Sequence, residues 1–231
     1  MRSKIKGIIF DLDDTLFDCT GQLTEPARHR AAQILSNAHP NLSVTEACQQ
    51  QTLLSQTLSS ADAIRILGSE YKIPSNVVEQ ALDAYNTSKV EAITPFPDVL
   101  CTLETLSQNG YLLTLVTSGH PDRQRNKVRL LNLESYFSKK NKTLFLHDDR
   151  KTKDKGPFLA QAAKSLALDH TQILAVGDKL TAEIAAAKRL NMTTVHMRHG
   201  RQKDRQPQTL QEQPDYKIDA ISNLLSLLPS R

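Results

Sequence analysis

The sequence predicts an α/β chain: a parallel sheet covered by helices on both faces, interrupted near its start by an all-helical insertion. Three observations carry this. Short apolar runs recur along the chain, each closed by a turn or polar residue. Amphipathic helical stripes lie between most of them, and alternation of strand and helix implies parallel strands buried on both sides. One stretch, from about Asp18 to Ile93, has helical spacing but no convincing strand.

The strands are expected at Ile5 to Phe10, Tyr111 to Val116, Thr143 to Leu146, Ile173 to Val176 and Thr193 to His196, with a small edge strand at Tyr216 to Ile218. Between them, Asp98 to Gln108 places Val99, Leu100, Leu103 and Leu106 on one helical stripe, and Asn109-Gly110 stops it. Phe158 to Leu168 and Ile184 to Leu190 are alanine- and leucine-rich helices, and Ala220 to Leu228 is expected to close the chain as a helix. Within the insertion, one stripe runs through Ala27, Ala31, Ile34 and Leu35. A second begins with Leu54, Leu58 and Ala61. A third uses Val77, Val78, Ala81, Leu82 and Tyr85 behind the capping-box pattern Asn76-Val-Val-Glu79. Thr94-Pro-Phe-Pro97 is a stiff return, since proline restricts itself and the residue before it. The expected division is therefore 1–17 with 94–231 as the α/β core and 18–93 as the helical insertion. Arg201 to Pro214 is polar and unpatterned, as a loop would be.

Composition narrows the function classes. The chain has 231 residues, 39% hydrophobic and 23% charged, enough to bury a core without staples. Its formal net charge is +4, with a denser basic stretch from Lys139 to Lys155 but no recognisable nucleic-acid-binding module. Cys19, Cys48 and Cys101 are odd in number and widely spaced, which argues against a disulfide framework or zinc site and for a reducing cytoplasm. No apolar run reaches the length of a membrane span, and no nucleic-acid or membrane partner is expected.

The polar residues at the strand ends carry the chemistry. In such folds ligands bind at the carboxyl ends of the strands. Asp11-Leu-Asp13-Asp-Thr15 follows the first strand directly, and alternation would put Asp11 and Asp13 on one side. Close carboxylates repel unless a cation sits between them, and magnesium favours such oxygen donors. Taken alone, the same residues also make an ordinary acidic turn. Thr117 and Ser118 end the second strand, where hydroxyls and free N–H groups suit a phosphate, and Gly119 allows close backbone approach. Lys155 precedes a helix that starts near Pro157, although Lys151 and Lys153 compete with it. Gly177-Asp178 ends the fourth strand, where Asp178 is placed to complete a metal site with Asp11, and Glu183 lies five residues on.

In this order, the four groups resemble the haloacid dehalogenase superfamily, along essentially the whole chain. Phe96-Pro97-Asp98 and Ala185-Ala-Ala-Lys-Arg-Leu190 add to the likeness. The resemblance implies a Rossmann-like three-layer core and identifies the insertion as a small C1-type cap. It implies a magnesium-dependent phosphatase acting on a small phosphorylated metabolite. Asp11 would be the nucleophile and form an aspartyl-phosphate. Asp13 would serve as acid and base, which asks for surroundings that keep it protonated at the right moment. Thr117, Ser118 and Lys155 would hold the phosphate, and Asp11, the Asp13 carbonyl and Asp178 the Mg2+. Glu183 stands where relatives often carry aspartate, and is expected to reach the metal only through water or a ligand. Asp13 argues against the dehalogenase branch, which lacks an acid at that position. Two alternatives stay open: a phosphotransferase or mutase of the β-phosphoglucomutase type, and a non-catalytic regulatory member. The substrate and the oligomeric state are not legible.

Overall fold

A computed structural model describes residues 5–86, 90, 92–137, 144–147 (backbone only) and 154–229. The chain opens with β1 (Gly7–Phe10), then forms α1 (Glu25–Asn37), α2 (Val44–Leu54), α3 (Ser60–Glu70) and α4 (Ser75–Asn86). It continues through α5 (Val99–Gln108), β2 (Leu112–Ser118), α6 (Pro121–Leu130), α7 (Glu134–Phe137), β3 (Leu144–His147) and α8 (Gly156–Ser165). It ends with β4 (Ile173–Gly177), α9 (Ala185–Arg189), β5 (Thr193–Met197), β6 (Tyr216–Ile218) and α10 (Leu224–Leu227).

The six strands form one sheet in the order β3-β2-β1-β4-β5-β6, and every pairing is parallel. The expected Rossmann-like order is thus present, with Tyr216–Ile218 at one edge. β1 is central because all four of its residues are buried. Ile9 packs with Leu159 and Ala162 of α8 and Ala186 and Ala187 of α9 on one face. Phe10, one residue on, faces the other side and meets Phe137 of α7 edge-on at 6.3 Å. There α7 leans on α5, where the Tyr136 hydroxyl donates to the Leu100 carbonyl at 3.4 Å.

The chain divides into two compact units, 1–19 with 90–231 and 20–89. The core unit reaches further than 1–17 and 94–231 because Val90 and Ile93 are buried and Asn126 donates to the Val90 carbonyl at 3.0 Å. On the core side, the Phe96 N–H donates to the Leu16 carbonyl at 3.1 Å.

The helical unit has four helices where three stripes were read. The stripe Leu54, Leu58, Ala61 is not one helix: Leu54 ends α2, Leu58 lies exposed in a turn, and Ala61 belongs to α3. Ser59 makes the break, accepting the Asp62 N–H at 3.1 Å as an N-cap, as Ser43 accepts that of Glu46 at the start of α2. Asn76 does not cap α4; that helix already begins at Ser75, and the Pro74 carbonyl accepts the Val77 and Val78 N–H groups. Ala31, Leu35, Ala47, Ile64, Leu67 and Ala81 make the core of this unit.

In the core unit, α6 and α7 follow β2 where no helix was expected, and the closing helix is shorter, a 3-10 turn at Ile221–Asn223 followed by α10. The expected helix from Ile184 is entered through a π-turn, Leu180–Ile184, which α9 continues. Lys139, Asp148, Asp149, Lys151 and Lys153 lie outside the described residues. No described helix is long and apolar enough to cross a membrane.

One polar clasp holds the sheet edge. The Asp215 carboxylate accepts from Lys188 at 2.6 Å and from the Thr194 N–H and hydroxyl, both at 2.8 Å, tying α9 and β5 to the segment that leads into β6. Partial burial raises its pKa, but the Lys188 and Thr194 hydrogen bonds outweigh this and hold it below the usual carboxylate range. Its contribution to stability is therefore present above the unfolded pKa and lost as pH falls through the folded one. Asp215→Asn is expected to cost about 1 kcal/mol at neutral pH, with the gap to the wild type closing as the pH drops below about 4 in urea-unfolding series.

Candidate active site

The site forms where strand order reverses, at the carboxyl ends of β1 and β4. β1 hands its register on to Asp11, whose N–H still bonds the Val176 carbonyl of β4 at 2.9 Å. β4 ends in Gly177, and Asp178 follows. The Asp178 carbonyl accepts from His196 Nε2 of β5 at 2.9 Å, which fixes the tautomer because a carbonyl cannot donate.

Lys155 lies immediately before α8 and is buried to 2% exposure. Its ammonium donates to Asp11 Oδ1 at 2.6 Å and to Glu183 Oε1 at 2.5 Å. Lys155 therefore lies at the acids; Lys151 and Lys153, which compete with it in the sequence, lie outside the described residues. Glu183 bonds Lys155 directly, a contact not read from the sequence, and its Oε2 accepts the Lys179 N–H at 3.2 Å. The π-turn after Lys179 folds it back against the end of β4, and this needs a glycine there. A Cβ on Gly177 would sit 2.8 Å from both Cβ and Cγ of Glu183.

Asp11, Asp178 and Glu183 form a buried cluster, with one oxygen of each lying within 4.8 Å of the others. Burial pushes the Asp11 pKa up to about 6 against the pull of Lys155, with Glu183 adding to the rise. Asp178 is driven well above the ordinary carboxylate range, by burial first, against the pull of Lys179 and with Glu183 and Asp11 adding to it. Glu183 is held low, because Lys155 and Lys179 outweigh its burial. Lys155 bonds two of the three acids and the charge of Lys179 acts on all three, so three carboxylates face two ammonium groups and negative charge is left over. Asp178 Oδ1 is buried with no hydrogen-bond partner among the described residues. Buried, oxygen-only and short of positive charge, this donor set fits a hard divalent cation such as Mg2+. Asp13 adds no carboxylate to it; the expected donor there is its main-chain carbonyl.

The Asp13 carboxylate is engaged elsewhere. Lys127 of α6 donates to both of its oxygens, at 2.7 and 2.9 Å. Gln124, one turn earlier, donates to Asp13 Oδ2 at 3.2 Å and to the Thr117 hydroxyl at 2.6 Å. Burial raises the Asp13 pKa, but the charge and hydrogen bond of Lys127 overcome it and hold the carboxyl below its ordinary value. The surroundings therefore favour the ionised form, not the protonated one an acid requires. Thr117 is fully buried at the end of β2, and since its oxygen accepts from Gln124 its own proton is free to be donated. Ser118 is half-buried beside it, and Gly119 takes φ of 130°, a value side chains rarely adopt. Neither Gln124 nor Lys127 was singled out from the sequence. The available signal was Pro121 as a helix start, with Gln124, Lys127 and Val128 at i, i+3 and i+4.

The comparisons with known proteins agree with this architecture. A family model described as haloacid dehalogenase-like hydrolase matches residues 8–197. The chain belongs to the haloacid dehalogenase-like hydrolase family. A curated relative from Methanopyrus kandleri, named glyceraldehyde 3-phosphate phosphatase, is 29% identical over 97% of this chain and 97% of its own. A second of the same name, from Methanocaldococcus jannaschii, is 27% identical with the same shares covered. Among solved structures, a predicted phosphoglycolate phosphatase from Haemophilus somnus 129pt is similar with a TM-score of 0.71, covering 97% of this chain and 98% of that one. At 20% identity that likeness speaks for the fold. The haloacid dehalogenase-like hydrolase fold thus brings Asp11, Lys155, Asp178 and Glu183 together, with Asp13 and Thr117 joined through Gln124.

A cation that binds only the folded chain raises its melting temperature. Saturating Mg2+ is expected to raise that temperature by roughly 4–10 °C, read by differential scanning fluorimetry. Asp178→Asn should lose the shift, yet melt no lower than the wild type in ion-free buffer, because one poorly compensated buried acid is gone. An unchanged Mg2+ response in that variant would place the cation elsewhere.

Proposed function

We propose that this hydrolase is a Mg2+-dependent phosphatase of small phosphate monoesters, working through an aspartyl-phosphate on Asp11. The observation that supports it best is the buried Lys155 bridge between Asp11 and Glu183 beside Asp178. It sets one carboxylate of a crowded acidic cluster against a fixed positive charge at the carboxyl end of the central strand.

In this reading Lys155 holds Oδ1 of Asp11, and Oδ2 attacks phosphorus. The bond from phosphorus to the leaving oxygen breaks, its electron pair departs with that oxygen, and Asp13 supplies the proton. In the second half a water loses its proton to Asp13, attacks phosphorus, and releases inorganic phosphate and the Asp11 carboxylate. The Lys127 pairing favours the ionised Asp13 that the second half uses. The first half needs the protonated form, which this arrangement opposes; a proton on one oxygen frees that oxygen from Lys127 while the other still accepts from it. The Thr117 hydroxyl, the Ser118 N–H and the Lys155 ammonium hold the transferring oxygens, and such positioning and charge stabilisation dominate phosphoryl transfer. When bound, Mg2+ would be held by Asp11, Asp178 and the Asp13 carbonyl, and would neutralise phosphate charge.

Asp13 favours phosphate chemistry over dehalogenation, since an acid two residues after the nucleophile serves an alcohol leaving group. The helical unit 20–89 is proposed to act as a cap that supplies substrate contacts. The curated relatives are named for glyceraldehyde 3-phosphate, which makes that triose phosphate the first substrate to assay.

The purified chain is expected to release phosphate from p-nitrophenyl phosphate and glyceraldehyde 3-phosphate with Mg2+ and not with EDTA. Asp11→Asn should lower kcat by at least about a thousandfold while leaving the circular dichroism spectrum unchanged. Transfer of label to a sugar acceptor instead of water would favour the mutase reading, and appreciable turnover by Asp11→Asn would remove the nucleophile assignment.

A further inference from the structure

We propose that Lys127, aided by Gln124, is the positioning residue for Asp13: it fixes the Asp13 carboxylate beside Thr117 so that protons pass at the correct distance. The inference rests on the phosphatase reading above.

The geometry is specific. Both Asp13 oxygens are held by one ammonium, at 2.7 and 2.9 Å, and one of them also by Gln124 at 3.2 Å. Three hydrogen bonds from two donor groups on a single carboxylate leave it little rotational choice. The same Gln124 nitrogen reaches the Thr117 hydroxyl at 2.6 Å, so the proposed acid/base and a proposed phosphate donor share one support. Gln124 and Lys127 are both buried and lie one helical turn apart, so α6 presents them together.

Stability alone explains this poorly. Lys127 is almost wholly buried, and removing a lysine and a carboxylate from water costs about as much as their attraction returns. Its ammonium also stands over the Phe17 ring, 5.7 Å from the centroid, a contact that adds only modestly to the pair. Geometry explains it better. A group that exchanges protons with substrate must come within about 2.6–3.2 Å of the reacting atom, and a displacement of about 1 Å costs on the order of a hundredfold in rate. The segment after β1 carries Asp13 through a tight turn, with Asp14 at φ of 58°, and α6 reaches across to brace the carboxylate.

A positioning residue acts through the group it positions, so a double-mutant cycle reads it. Wild type, Lys127→Met, Asp13→Asn and the double variant are assayed with p-nitrophenyl phosphate and Mg2+. Each is checked for folding by its thermal midpoint, and Lys127→Gln, which keeps a donor, serves as the milder variant. Lys127→Met is expected to lower kcat by about tenfold or more with little change in KM, and by less than about twofold once Asp13 is Asn. Lys127→Gln should fall between. An equal loss in both backgrounds, an effect on KM alone, or loss of folding in both Lys127 variants would overturn the proposal. A wild type no more active than Asp11→Asn would instead overturn the phosphatase reading and this inference with it. A wild-type activity that needs Asp13 but is indifferent to Lys127 overturns the inference alone.

Discussion

The molecule is organised around a shortage of positive charge. Asp11, Asp178 and Glu183 converge at the carboxyl edge of β1 and β4, all buried, against two lysines, Lys155 bonded to two of them and Lys179 acting on all three by charge. Such a cluster is a poor device for stability, since each buried charge loses its water and three acids repel. Asp178 shows the strain most clearly: its Oδ1 has no partner among the described residues, and burial drives its carboxyl well above the ordinary range. An arrangement that opposes its own folding points to a ligand, and a divalent cation would supply what is missing.

The fold serves this crowding in several ways. A parallel sheet aims every strand's carboxyl end at one edge, and the reversal of order at β1 opens a crevice there. The strands deliver Asp11, Thr117 and Asp178, and the start of α8 delivers Lys155. Gly177 leaves room for Glu183 to turn back. A second ion pair, Lys127 with Asp13, holds Asp13 of the Asp-Leu-Asp-Asp turn apart from the cluster. The two aspartates thus have opposite surroundings: Asp11 is pushed towards protonation and Asp13 away from it. Pairs of acids whose environments diverge are a recurrent way of dividing chemical roles.

Much of this was legible in the sequence because buried parallel strands have a strong local signature. Each strand lies within a residue or two of its apolar run, and the polar residues that end those runs are the ones that gather at the site. What escaped were features set by tertiary partners. α6 shows no apolar stripe because its inward side chains include Gln124 and Lys127, and their burial makes sense only against Asp13 and Thr117. Ser59 capping α3 divides what looked like one continuous stripe from Leu54 to Ala61. The Glu183–Lys155 bond escaped too, because the π-turn at Leu180–Ile184, which no periodicity announces, carries Glu183 onto the lysine. Spacing could not choose between Lys153 and Lys155.

The central claim is that Asp11 is the atom source for a covalent intermediate. An acyl phosphate at this position can be trapped by rapid acid quench during turnover of glyceraldehyde 3-phosphate or p-nitrophenyl phosphate, then reduced with borohydride. Reduction converts an aspartyl-phosphate, and not a free aspartate, to homoserine. Peptide mass spectrometry is expected to find homoserine at position 11, dependent on both substrate and Mg2+. Aspartate persisting at 11 under conditions of steady phosphate release, or homoserine at another position, would contradict the account.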